Sequence, residues 1–220
     1  MIRLGAGPLD RIVMVGAHCD DIAIGAGGTL LTVCRARPGL RVDALVLSGG
    51  GSEREQEERV ALAAFCPGAD LRLTVLELPD GRLPVHWDEA KAAVEELRAR
   101  TEPDLILAPR TDDAHQDHRG LATLMTTAFR DHLVLGYEIA KWDGDLGRPS
   151  AYQPLTAETA DRKVRLLQEH YPSQRHRPWY DREAFLGLAR IRGIECHARY
   201  AEAFAVTKLT LDLATIELGG

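Results

Sequence analysis

Two short polar clusters, Ala17-His18-Cys19-Asp20-Asp21 and His115-Gln116-Asp117-His118, carry residue types that bind metals and move protons. Each follows an apolar run, residues 11–16 and 104–109, that reads as a strand buried on both faces, the pattern of a parallel sheet. Ligands of open α/β sheets gather at the carboxyl ends of such strands. Imidazoles and carboxylates arriving there from two strands offer the nitrogen and oxygen donors of a catalytic Zn²⁺, with one position left for water. Taken singly, each cluster has a plainer alternative: a His that only satisfies its own hydrogen bonds, or an Asp pair that caps a helix. Placed together at two strand ends, they read as one divided metal site.

The elements that must carry these clusters alternate. After the first strand, Gly25-Ala26-Gly27-Gly28 leads into a helix over 29–35, stopped by Arg37-Pro38-Gly39. Residues 42–47 form the next strand, 48–52 a glycine loop, and 53–65 a helix with its apolar face at Val60, Leu62, Ala63 and Ala64. A strand over 71–78, a turn at Pro79-Asp80-Gly81-Arg82, a helix over 88–100, a strand over 104–108, a helix over 118–131 and a strand over 133–139 follow. Residues 142–149 read as a loop, 156–170 as a helix with a Thr156/Thr159 cap, and 200–206 as a strand. This order predicts an α/β fold: a Rossmann-like, doubly wound, mostly parallel sheet with helices on both faces.

Bulk properties narrow the class. The 220 residues, 45% hydrophobic and 27% charged, suit one globular domain over 1–220. No apolar run reaches membrane-spanning length and Met1-Ile2-Arg3-Leu4-Gly5 lacks a leader pattern, so the expected location is cytoplasmic. A net charge of −6 argues against nucleic-acid binding. The four cysteines, Cys19, Cys34, Cys66 and Cys196, have no CxxC spacing and read as reduced thiols. The glycine stretch raises a competing reading, a nucleotide-binding turn, but its spacing departs from G-x-G-x-x-G. Homo-oligomerisation through a sheet edge or exposed helix stays open.

The chain resembles the PIG-L/LmbE-like family of metal-dependent N-acetylglucosaminyl deacetylases. The likeness lies in Ala17-His18-Cys19-Asp20-Asp21-Ile22 against the family's Ala-His-Pro-Asp-Asp-Glu, in Gly25 to Leu30, and in His115-Gln116-Asp117-His118 against His-x-Asp-His. Arg54-x-x-Glu57, Pro79-Asp80-Gly81, Ser173-Gln174 and Tyr200-Ala201-Glu202-Ala203-Phe204 extend it. The resemblance implies that His18, Asp21 and His118 bind Zn²⁺, or another divalent metal such as Fe²⁺. It also implies that Asp20 is the general base and His115 the electrophilic or acidic partner, and that Arg54 and Asp80 contact a small N-acetylated sugar. Cys19 and Ile22 depart from the motif at positions that carry no ligand in the family.

Amide hydrolysis explains why such residues would be grouped. It needs an activated water, a group to take that water's proton, a donor for the oxyanion and a proton for the departing amine. Asp117 is the natural carboxylate to orient a neighbouring His, or else the N-cap of the helix beginning at His118. Arg54 has the alternative of pairing with Glu57 or Glu58 on its own helix. Asp112 and Asp113 read as an acidic rim or as turn residues. Trp142, Trp179 and Tyr180 could stack on a sugar or join local core. Gln174 could close the pocket or cap a helix. His86, His132, His170, His176 and His197 have no partner motif and read as structural or surface residues. Specificity is expected in the loops around 49–54, 79–86, 141–153 and 171–181. The rival readings are an amidase for a thiol conjugate or non-sugar amide, and a metal-independent nucleotide-binding protein.

Overall fold

The computed structural model describes residues 9–210; the leader reading of Met1–Gly5 falls outside them. Seven strands, β1 (Arg11–Gly16), β2 (Arg41–Val46), β3 (Asp70–Val75), β4 (Leu105–Pro109), β5 (Val134–Tyr137), β6 (Ala151–Leu155) and β7 (Tyr200–Val206), form one sheet in the order β3-β2-β1-β4-β5-β7-β6. The pairings among β3, β2, β1, β4 and β5 are parallel, and β7 runs antiparallel to both β5 and β6. The helices are α1 (Asp21–Ala36), α2 (Glu53–Phe65), α3 (Trp87–Arg100), α4 (Gln116–Ala128), α5 (Ala157–His170) and α6 (Arg182–Glu195). This is the expected α/β architecture.

Residues of β1 alternate between two cores. Ile12 and Met14 join the core beneath α1, α2 and α5, while Val13 and Val15 join the one beneath α3 and α4. A strand covered on both sides has no polar face, so its sequence is continuously apolar. The chain leaves β1 toward β2 on one side and returns to β4 on the other. The strand order therefore reverses between β1 and β4, the crevice where open α/β sheets bind ligands. Both polar clusters lie at that crevice.

The first helix corrects the glycine reading. It begins at Asp21, and Gly25 to Gly28 lie inside it rather than in a turn before it. Close packing requires the glycines: a Cβ on Gly25 would stand 2.1 Å from the Tyr137 ring, one on Gly27 2.7 Å from Phe65, and one on Gly28 2.5 Å from Leu155. No backbone turn is left there to cradle a pyrophosphate. On α2 the buried residues are Glu57, Glu58, Ala61, Leu62 and Phe65, whereas Val60 is exposed. The predicted apolar face is thus rotated, because two glutamates occupy inward positions. Strand β6 and helix α6 were not expected. β6 is an edge strand that accommodates Pro154, and α6 leaves Ile191 and Ile194 exposed, which blurs its apolar stripe. The Thr156 cap is present, its hydroxyl accepting from Thr159 N at 3.0 Å.

Tyr137 is fully buried and its hydroxyl donates to Val15 O at 2.6 Å, so its ring cannot swing away from α1. Gly25→Ala is expected to overpack this contact, costing about 1–3 kcal/mol and lowering Tm by about 2–12 °C. Thermal unfolding checks this; an unchanged Tm would contradict the packing argument.

Candidate metal and acid–base site

The site starts from a tight turn after β1. Asp21 opens α1, and its Oδ2 accepts the backbone N–H groups of Ala17 and His18, each at 2.9 Å, tying the strand end to the helix start. A carboxylate in the first helical turn also sits well in the helix field. Asp20 occupies the N-cap position at φ 96°, in the left-handed region, and its side chain makes no cap bond. The helix-cap alternative for Asp20 therefore does not hold, and its buried carboxylate faces the cleft. Arg54 lies 3.2 Å from Asp20 Oδ2 and donates to Cys19 O. Its partner is thus Asp20, not Glu57 or Glu58.

The second cluster comes from the link between β4 and α4. His115, not Asp117, caps α4, its Nδ1 accepting from Asp117 N at 3.2 Å. Asp117 sits within the first turn because the helix starts at Gln116. Its carboxylate instead accepts from Gly81 N at 2.7 Å and Leu83 N at 3.1 Å, and its Oδ2 is 3.3 Å from His18 Nε2. The His it orients comes from the other cluster.

Three buried donor atoms converge. His18 Nδ1 lies 3.1 Å from His118 Nε2 and 3.5 Å from Asp21 Oδ2, and the last two are 3.3 Å apart. Tetrahedral bonds of about 2.0–2.1 Å place neighbouring donors about 3.3–3.4 Å apart, so the triangle fits a divalent metal. The outer ring nitrogens face carboxylates, the arrangement that orients ligating imidazoles. His18 Nε2 is 3.0 Å from Asp80 Oδ1 as well as near Asp117, and His118 Nδ1 is 3.1 Å from Asp113 Oδ1, although outside hydrogen-bond geometry. A nitrogen of His115 also lies within 4.8 Å of donors on His18 and His118. Its Nδ1 is engaged in capping, so Asp21 is the better third donor.

Charge balance follows from burial and pairing. Burial opposes the His18 and His118 cations, yet Asp21 outweighs it; His18 rises well above the usual imidazole range and His118 to about 9. Asp21 is held well below the carboxylate range by His118 and His18 despite burial. Burial, reinforced by Asp21 and opposed by Arg54, pushes Asp20 up to about 7. Burial and the two neighbouring imidazoles push His115 down, favouring a neutral ring. A hydrogen bond with His18 holds Asp80 at about 2.

These residues line an open cleft of ≈ 190 Å³ with Arg54, Asp80, Lys141, Trp142, Asp143, Gln174, Arg177 and Trp179, all within the four segments expected to set specificity, although Arg54 lies in the first turn of α2 rather than in a loop. Tyr180 instead is core, its hydroxyl donating to Leu167 O. Gln174 is buried at the cleft, bonded to Ser173 and Arg177. Cys19 packs away from the donors, its thiol 3.4 Å from Ser48 O. Asp112 is exposed, whereas Asp113 is buried and bound to Lys141 Nζ at 3.0 Å. Sequence reasoning missed Lys141, Arg177, Glu58 and Tyr171. Lys141, Arg177 and Tyr171 fell within the segments expected to set specificity without being singled out, and Glu58 shares a helical face with Arg54 four residues earlier.

The family model described as PIG-L, GlcNAc-PI de-N-acetylase, matches residues 13–129, more than half of the chain. The chain belongs to the PIG-L family. The Escherichia coli K12 protein described as uncharacterized deacetylase YaiS is 26% identical over 172 residues, covering 72% of this chain and 89% of YaiS. Two solved structures share the fold. The N,N'-diacetylchitobiose deacetylase of Pyrococcus horikoshii has a TM-score of 0.70 at 18% identity, covering 90% of this chain and 84% of its own. GalB, the 4-carboxy-2-hydroxymuconate hydratase of Pseudomonas putida KT2440, has a TM-score of 0.72 at 16% identity, covering 94% and 100%. In this PIG-L family chain both polar clusters fall within the matched residues.

Burial pushes the Glu58 carboxyl up to about 8, from an ordinary 4.5, with Tyr171 and the Asp20 amide opposing. Across that window the folded protein holds a proton that the unfolded chain has lost, so Glu58 erodes stability as pH rises. Urea unfolding in chelator, from about pH 5 to about pH 8, should show wild type losing stability relative to Glu58→Gln. Parallel pH curves would contradict the buried-acid assignment.

Proposed function

We propose that this PIG-L family protein is a metal-dependent N-deacetylase acting on an N-acetylated amino sugar, such as an N-acetylglucosamine unit, within a small molecule. Residues 1–220 act as one cytoplasmic domain. The observation that carries the reading is the buried triangle of His18, Asp21 and His118 beside an Asp20 that is spared from capping. The family match and the deacetylase relatives support the reaction type.

His18, Asp21 and His118 would hold the ion, with Zn²⁺ the best fit to two nitrogens and one oxygen. Once bound, it would polarise the acetamide carbonyl and lower the pKa of water to about 7. Asp20 accepts the proton as the water oxygen bonds to the carbonyl carbon, and Arg54 keeps its carboxylate aimed at the cleft. Neutral His115, with Nδ1 engaged by the helix cap, presents Nε2–H to the oxygen as negative charge develops there. The C–N bond then breaks, and the proton on Asp20 passes to the departing nitrogen, giving acetate and a free amine. Asp80 offers a sugar hydroxyl an acceptor. The rings of Trp142 and Trp179, with centroids 6.4 Å apart, offer apolar faces at the mouth.

Acetate release from a panel of N-acetylglucosamine derivatives tests the reading. Wild type should release acetate, chelation should abolish release and added Zn²⁺ restore it. Asp20→Asn should keep its metal while turnover falls about 10²–10⁴-fold. Near wild-type turnover in that variant would overturn the assignment of Asp20. Chelator-insensitive activity would favour a metal-independent protein, and metal-dependent amine release without acetate would favour a different amide. Addition of water to an alkene, without acetate, would place the chain nearer the hydratase chemistry named for GalB.

A further inference from the structure

One peptide unit in the site is gripped at both ends by a single helix. The carbonyl oxygen of Cys19 accepts from Arg54, and the amide N–H on the other side of the same peptide, that of Asp20, donates to Glu58 Oε2 at 2.8 Å. Arg54 and Glu58 are four residues apart on α2 and so share one face. Glu58 is fully buried, and the fully buried Tyr171 hydroxyl donates to the same Oε2 at 2.7 Å. The other oxygen of Glu58 has no partner among the described residues. A carboxyl group buried this completely is costly and contributes little ordinary core packing. Its geometry is spent on the Asp20 amide.

That amide belongs to a strained residue. Asp20 lies at φ 96°, where a side chain other than that of glycine is strained, and it persists only if its surroundings hold it. The strain keeps the Asp20 carboxylate out of the helix cap and in the cleft. Resting on the reading of Asp20 as proton acceptor, we propose that Glu58, oriented by Tyr171, is a positioning residue that fixes the Cys19–Asp20 peptide and so sets the direction of the Asp20 carboxylate.

The test separates positioning from plain stability. Glu58→Leu alone would orphan the Tyr171 hydroxyl, so the informative protein is the Glu58→Leu/Tyr171→Phe double variant, which removes both side-chain partners and leaves an apolar contact. It should fold and retain metal. Its kcat should fall about 10- to 10²-fold, the scale of a misplaced catalytic group, with KM changed by less than about threefold. Glu58→Gln, which retains an acceptor oxygen, should recover kcat to within about threefold of wild type. A folded, metal-loaded double variant with wild-type kcat would overturn the proposal, as would a Glu58→Gln variant no better than the double variant. A crystal structure of the double variant reads the same device without a substrate. Asp20 leaving positive φ supports the proposal; an unchanged Asp20 backbone overturns it, whatever the substrate panel shows. Absence of acetate release by wild type would instead count against the deacetylase reading.

Discussion

Everything in the site depends on the buried carboxylate of Asp21. Its Oδ2 receives two backbone N–H groups from the turn after β1 and faces the inner nitrogens of His18 and His118. A lone carboxylate at that depth would be strongly disfavoured. The two amides and the two imidazoles compensate it, and each thereby receives a fixed direction. One charge thus closes the turn from β1 to α1 and fixes the spacing of two donors separated by 100 residues of chain. A divalent ion held by these donors would meet the same carboxylate charge.

The sheet makes this arrangement affordable in space. Helix α1 must approach the sheet closely for Asp20 and Asp21 to meet His118, and Gly25, Gly27 and Gly28 let it lie against Tyr137, Phe65 and Leu155. A buried pair then secures the same stretch. Glu202 accepts from the amides of Gly28 and Thr29, and Lys163 Nζ bridges Glu202 and Ile24 O. The segment around Glu202, which resembles a family motif, is explained by this contact with α1 rather than by contact with the cleft. On the opposite side, Lys141 holds Asp113 beneath His118. The donors are therefore braced from both sides of the crevice, as a preorganised metal site requires.

Much of this was legible in residue patterns, and what was hidden has physical causes. Strands β1 and β4 announced themselves because both faces are buried, and α2 and α5 because their ends carry clear stop or cap signals. The polar clusters were visible as local strings. Their partners were not, because Asp113, Lys141, Glu58 and Tyr171 acquire meaning only through contacts between distant parts of the chain. Local rules also failed at two points: Asp20 declines the cap that its position invites, and His115 supplies it for α4. Both exceptions lie in the candidate site, where local preference yields to function. The glycine helix misled for a related reason, since close approach and turn formation select the same residue.

The central claim is that His18, Asp21 and His118 form one metal site. It is tested most directly by anomalous diffraction from crystals of the protein loaded with Zn²⁺, recorded on both sides of the zinc absorption edge. The account predicts a single strong peak bonded to His18 Nδ1, His118 Nε2 and an Asp21 carboxylate oxygen at about 2.0–2.2 Å. A peak held by His115 or by Asp80 and Asp117 in place of Asp21, or no peak in this cleft, would contradict it.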